Sequence, residues 1–355
     1  MIEILVKECE KLGVQLLRQT PAKKILTDSS GKVKGVLAVN NNQEIQINAK
    51  SVIIATGGYG GNKELLRKYC PDYSEHIRYM GLPHMGDGIQ MTTDIGAANE
   101  GLGMLQLQGP VYERARNGRS ICMEPVTVWV NNRGERFTDE STAANHFECV
   151  NAMLQQPGKV SYTLFDEEVK QDIVERINKG YIGFRGLAYR ANGTTQPDLI
   201  SDLQLEAQKK RIKISDSWEE IAQWIGAAPE VLKATINEYN SGCDHSYDEL
   251  FTKDRRYLIP LRRSPYYCIR CYPIFLTTMG GIKINHKMQV IDKDYEPIPG
   301  LFAAGNDTGG WEPKDTYNAI LSGHAFGFAI NSGRIAGENA AEYVNNSSKD
   351  NIRHL

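Results

Sequence analysis

The chain has 355 residues, of which 41% are hydrophobic and 24% charged, enough to bury the core of one large or two ordinary domains and to exclude a disordered or fibrous chain. Its 41 lysines and arginines against 43 aspartates and glutamates leave a formal charge of -2, so no overall field draws it to nucleic acid or an anionic membrane. The longest apolar stretches, Ser51 to Thr56 and Gly300 to Gly305, are strand-sized, far short of the roughly 20 residues a bilayer demands. The expectation is a soluble protein with a small-molecule partner. Ile4, Leu5, Cys9 and Leu12 at helical spacing, closed by Gly13, predict an opening helix, and acids inside that run argue against a secretory signal. Strands are predicted at Val14 to Leu17, Ala22 to Thr27, Val33 to Val39 and Glu44 to Ile47, with turn chemistry at Asp28 to Gly31 and Asn40 to Asn42. Then a buried strand, Ser51 to Thr56, runs into Gly57, Gly58, Gly60 and Gly61, and helix formers continue from Lys63 to Tyr69. Gly86-Asp-Gly88 reads as a turn opening a helix with Ile89, Met91 and Ile95.

From about Leu102 to about Leu261 the texture becomes mixed strands, long polar loops and charged helices, which reads as an inserted second domain. The division is therefore 1–101, 102–261 and 262–355, the outer two segments forming one domain. Within the insert, Trp218, Ile221, Ala222 and Ile225 form one apolar helical stripe, and Val231, Leu232, Ile236 and Tyr239 another. The last segment carries strands around Gln289 to Asp292 and Leu301 to Ala304, a glycine-rich loop, a helix through Ile335 to Val344 and a polar tail from Asn345.

Seven scattered cysteines are unlike a dense disulfide framework and suit a reducing cytoplasm. Cys268-Ile-Arg-Cys271 has CxxC spacing, but in a strand-like run such positions face opposite ways, so structural thiols are expected rather than a zinc or dithiol site. Ala55-Thr-Gly-Gly58 and Ala303-Ala-Gly-Asn306 are glycine turns after buried strands. Such turns let main-chain N–H groups approach an anionic or flat ligand, although each alone is equally readable as a structural turn. With the glycine-punctuated run Ser332 to Glu338 they could converge on one cofactor.

The ordered landmarks are Val52-Ile-Ile-Ala-Thr-Gly-Gly58 with Asn62, Gly86-Asp-Gly-Ile89, Val130 to Phe137, Tyr239-Asn240 and Pro265-Tyr-Tyr267. Thr278-Met-Gly-Gly281, Pro297 to Gly305 and Gly333 to Glu338 complete the set. In this order the chain resembles the flavoproteins related to fumarate reductase and succinate dehydrogenase, especially the branch with urocanate reductase and ketosteroid dehydrogenases. The resemblance implies α/β plus α+β architecture: an incomplete, Rossmann-like FAD-binding domain (1–101 and 262–355) with an inserted capping domain (102–261). It implies FAD as cofactor, with Ala55, Thr56, Gly57, Gly58, Gly305, Asn306, Ser322, Gly323 and His324 beside it. It also implies hydride transfer from flavin to an activated carbon–carbon double bond of an enoate or enone, the reverse oxidation being the nearest alternative.

Two departures stand out. No G-x-G-x-x-G occurs, so the expectation is a truncated chain, a mis-started reading frame or one piece of a split protein completed by another chain. A non-catalytic remnant or partner subunit is the rival reading, and an electron-donor protein is a possible partner. Second, where fumarate reductases carry cations for a dicarboxylate, the matching positions hold Ala144, Leu276, Thr277 and Ile320, so fumarate is an unfavourable substrate. The catalytic candidates are Tyr317 as acid and Lys314 as the group tuning it, against the plainer reading that Tyr317 only packs. Arg114, Arg116 and Arg119 could meet a carboxylate or line a solvated loop, and His84 and His146 read as surface or satisfied core residues.

Overall fold

The computed structural model describes residues 2–71, 73–112, 121–181, 183, 199–312 and 323–353. Helix α1 (Ile2–Lys11) buries none of its residues. No strand forms at Val14 to Leu17, contrary to the pattern. Val14, Leu16 and Leu17 are exposed, and the neighbouring three-stranded sheet ends at β1 without them, so the short run buries no face that would repay ordering it as a strand. That sheet is the expected meander of β1 (Ala22–Thr27), β2 (Val33–Asn40) and β3 (Gln43–Asn48), antiparallel throughout. Asn41 and Asn42 turn the chain at positive φ, which asparagine tolerates better than most residues.

Strand β4 (Val52–Ile54) lies parallel to β14 (Pro297–Ala303), with Val52 beside Leu301 and Ile54 beside Ala303, and β13 (Gln289–Ile291) closes the far side of β14. Parallel strands in register end side by side, so the glycine turns after β4 and β14 meet although roughly 250 residues separate them. Helix α2 (Lys63–Tyr69) starts at Asn62, whose side chain accepts from the Glu64 and Leu65 N–H groups. Helix α3 (Asp87–Asp94) comes after Gly86, which sits in the left-handed region.

Between these parts run β5 (Arg78–Tyr79), β6 (Asn99–Glu100), β7 (Leu105–Val111), β8 (Val128–Val130), β9 (Ser161–Phe165) and β10 (Ile212–Ser215). The 13-residue strand β11 (Tyr266–Thr278) joins most of them. Its first half pairs with β9 and β10, its second with β5 and β7. Strand β12 (Gly281–Ile282) pairs with β6. The largest apolar clusters divide along the same strand: one draws on Tyr112 to Cys271, the other on Ile25 to Leu105 and again on Phe275 to Ala303.

The helices of the middle segment are α4 (His146–Leu154), α5 (Glu167–Asn178), α6 (Leu199–Gln208), α7 (Trp218–Ile225) and α8 (Pro229–Asp244). The two predicted stripes are realised: Ile221, Ala222 and Ile225 of α7 and Leu232, Ile236 and Tyr239 of α8 are buried, each large apolar side chain contributing about 2 kcal/mol. A buried ion network joins the chain just after α8 to residues 127–140 around β8. Arg136 donates to both oxygens of Glu140 (2.9 and 2.9 Å) and of Asp248 (2.9 and 2.8 Å), while Lys253 lies 3.0 Å from Glu140 and donates to the Thr127 carbonyl. Two cations against two carboxylates leave no net buried charge, the condition under which such a cluster is tolerated. Cys268 and Cys271 are buried free thiols on β11, and burial pushes the Cys268 thiol well up.

Helix α9 (His324–Arg353) begins earlier and ends later than expected, so the predicted polar tail from Asn345 is helical. Ala336 and Ala340 pack against Phe302, and a helix anchored there propagates through weak formers at little cost per residue.

Candidate functional site

The site is built from the turns that leave two parallel strands. After β4 the chain turns through Gly57 and Gly58, both at positive φ (92° and 91°). A Cβ on Gly57 would stand 2.7 Å from the His84 ring, and one on Gly58 would stand 2.4 Å from Thr278 Oγ1 and 3.0 Å from the Asn306 carbonyl. Only glycine satisfies both constraints.

After β14 the chain enters one turn of 3-10 helix, Gly305 to Asp307. The Asp307 carboxylate, fully buried, inserts into the first turn. It accepts from the N–H groups of Thr56, Gly57 (2.8 Å) and Gly58 (3.0 Å) and from the Thr56 hydroxyl (2.9 Å). Burial drives its pKa above the usual carboxylate value, while the main-chain donors of Gly57 and Gly58 oppose the rise. The N–H groups of residues 56 to 58 thus face this carboxylate, and an intramolecular anion fills the nest that the turn creates.

Asn306 points the other way. Its amide donates to Thr277 Oγ1 at 3.0 Å, so an expected cofactor neighbour pairs with one of the positions that depart from the fumarate reductase pattern. Its Oδ1 is buried and has no hydrogen-bond partner among the described residues. An orphaned acceptor beside a glycine turn calls for a donor from a bound group. Gly305 and Gly323 supply room among the described residues: a Cβ on Gly305 would meet ordinary contacts with Ala329, and none of the described atoms lies within 4 Å of one on Gly323. Asn306, Gly305 and Gly323 therefore fit a cofactor at this place, and Gly305 is itself tied to α9 by its N–H donating to Ser332 Oγ (3.0 Å).

His324, the first residue of α9, pairs through Nδ1 with Glu312 Oε1. Trp311 stacks on Phe328 (4.5 Å between centroids, 7°), lies edge-on to His324 (5.5 Å) and donates through Nε1 to the Thr308 carbonyl. On the other side His84 rests against Gly57 with Nδ1 3.4 Å from the Tyr79 hydroxyl, whose pKa burial raises. Across the site, Ala143 joins Val111, Trp129 and Ile274 in an apolar cluster on which Leu276 packs.

Of the sequence-predicted residues, Ala55, Thr56, Gly57, Gly58, Gly305, Asn306, Gly323 and His324 lie on these converging turns. Tyr317, Lys314 and Ser322 lie outside the described residues, as do Ile320, Arg114, Arg116, Arg119 and the side chain of His146. Asp307, Glu312 and Thr278 were not singled out by sequence. Their only signal was proximity to the glycine landmarks, because their partners are remote in the chain.

The chain is similar to known proteins. A family described as FAD binding domain matches residues 1–315. Vinyl phenol reductase of Lactiplantibacillus plantarum is 29% identical over 98% of this chain and 72% of its own length. The open conformation of a flavocytochrome c3 fumarate reductase superposes with a TM-score of 0.71 at 27% identity, covering 96% of this chain and 55% of that one. The 3-ketosteroid delta1-dehydrogenase from Sterolibacterium denitrificans, at 23% identity over 95% of this chain and 62% of its own, shares the fold with a TM-score of 0.72. The chain thus spans part of the length of each.

Proposed function

Because this chain belongs to the FAD binding domain family, among the fumarate reductase-like flavoproteins, we propose that it is an FAD-dependent oxidoreductase acting on the carbon–carbon double bond of an enoate, enone or similarly activated alkene. The observation that carries this is the meeting of two strand-end glycine turns with the start of α9, leaving the Asn306 acceptor and the open faces of Gly305 and Gly323 toward one ligand. When bound, FAD supplies the hydride. The protein's part is to hold the ring edge with Asn306, Gly305 and Gly323, to seat the substrate against the segment 102–261 and to furnish the proton. Tyr317, tuned by Lys314, is one acid for that step.

A dicarboxylate is disfavoured. The surface near Leu276 is the apolar cluster of Ala143, Trp129 and Ile274, and two carboxylates leaving water need cations there. The relation to vinyl phenol reductase supports a conjugated, weakly charged alkene instead.

A second reading rests on one observation. Strand β4 is the edge of its sheet among the described residues, with Ile53 exposed on it. An open edge can accept a strand from another chain, which suits a partner subunit of a split flavoprotein. The deciding experiment is the visible spectrum of the purified chain after addition of FAD and desalting, and then turnover with reduced viologen on enoates, enones and vinyl phenols. Retained flavin with alkene reduction supports the first reading. Flavin retained only with a partner chain supports the second, and retained flavin with no alkene reduced overturns the reaction.

A further inference from the structure

We propose that His324, positioned by Glu312, is a proton-delivering catalytic residue of this site, the imidazole Nε2 carrying the proton. The inference rests on the reductase reading and deepens it by naming the acid.

The geometry is that of a carboxylate–imidazole pair with one end buried and the other open. The Glu312 side chain is only 3% exposed, whereas that of His324 is 37% exposed. A buried carboxylate is costly unless a proton faces it, so the proposed pairing requires a proton on Nδ1, the ring atom beside Glu312 Oε1. His324 begins a 30-residue helix, next to the glycine turn.

Trp311, locked by its bond to Thr308 and its stack on Phe328, walls one side of the imidazole and restricts its rotation. Gly323, immediately before, leaves open space. The ring thus has one nitrogen beside a buried carboxylate while part of its side chain remains exposed, the combination that a general acid requires.

Atoms and electrons balance in this step. Hydride adds to one alkene carbon and its π bond breaks toward the carbon next to the activating group. The Nε2–H bond of the imidazolium breaks, its proton forming the new C–H bond there, and the ring is left neutral with Glu312 still on Nδ1. The reductant is a reduced dihydroflavin, and solvent returns the proton.

The test uses this chain loaded with FAD, with the free chain as a separate readout. His324→Ala should lower kcat at least 100-fold with KM within about threefold and flavin retention unchanged, and added imidazole should restore at least tenfold of the loss. Glu312→Gln should lower kcat about tenfold. In the chain without cofactor, ring 15N shifts should show the Nδ1–H tautomer and lose it in Glu312→Leu, which offers no acceptor. Turnover of His324→Ala within threefold of wild type would overturn the inference while leaving the reductase reading intact, as would a tautomer indifferent to Glu312→Leu. A large loss in Tyr317→Phe with none in His324→Ala would give the proton step to Tyr317. A wild-type chain that holds FAD and reduces no alkene overturns both.

Discussion

Asp307 offers the most direct test of how the two turns are joined. Its carboxylate is fully buried and takes four donors, one oxygen facing the N–H groups of Thr56 and Gly57, the other the Gly58 N–H and the Thr56 hydroxyl. Asp307→Asn keeps the volume and replaces one acceptor by an NH2 group. If nitrogen takes the first position, two main-chain N–H groups face it. If it takes the second, the Thr56 hydroxyl can reverse and accept, but the Gly58 N–H remains unsatisfied. The cheaper arrangement therefore costs one buried unsatisfied donor, about 1–3 kcal/mol, plus the difference between charged and neutral acceptors for the others. Loss of the charge relieves the desolvation that drives this carboxyl's pKa up, which offsets part of that cost. The net expectation is a loss of about 2 kcal/mol, or a midpoint roughly 3 °C lower for a chain of this length. Urea and thermal unfolding measure it, with an unchanged m-value showing that native and unfolded states are otherwise comparable. Thr56→Val, which removes one hydrogen bond, should cost about 1 kcal/mol and couple with Asp307→Asn in a double-mutant cycle. A stability for Asp307→Asn within about 0.5 kcal/mol of wild type, or strict additivity with Thr56→Val, would refute the assignment of Asp307 as the clasp between the strand ends.

Further expectations concern the surrounding framework. Burial pushes the Glu140 and Asp248 carboxyls up, but Lys253 and Arg136 at Glu140, and Arg136 at Asp248, outweigh it and hold both below their usual range. Depressed carboxylates contribute stability that is complete above about pH 4.3 and is lost as the pH falls through their lower folded values, so equilibrium unfolding should weaken progressively in that acid window. Arg136→Met strands both carboxylates and should cost about 3–5 kcal/mol in urea at neutral pH. Gly58→Ala forces a Cβ to within 2.4 Å of Thr278 Oγ1 at φ 91° and should destabilise by about 2 kcal/mol or more, read in the same melts. Thiol labelling with a disulfide reagent should modify Cys9 and Cys243 in the native chain and reach the buried Cys70, Cys122, Cys149, Cys268 and Cys271 only on unfolding, the Cys70 thiol being pushed up to about 11 by burial.

Much of the architecture was legible locally. Strand-like patterning with Asn or Gly turns identified β1 to β3, a short continuous apolar run identified β4, and the helical apolar stripes identified α7 and α8. At Val14 to Leu17 the apolar run stays exposed and does not join the sheet edge beside it, since a short run makes a strand only where its packing repays the ordering. Strand β11 shows the converse, since its 13 residues are read as one strand only when β9, β10, β5 and β7 line its two halves.

The amino-acid sequence by itself determined which segments form the central strands and helices, where glycine must turn the chain, and the family to which the ordered landmarks belong. Those properties depend on contacts within a few residues, or on a string of motifs. Only the tertiary structure decided that Asp307 fills the Thr56–Gly58 nest, that Asn306 bonds Thr277 and leaves an acceptor open, and that Glu312 meets His324. A buried polar group must find a partner, but nothing in its neighbouring residues says which. That choice is made where strands distant in the chain are brought into register.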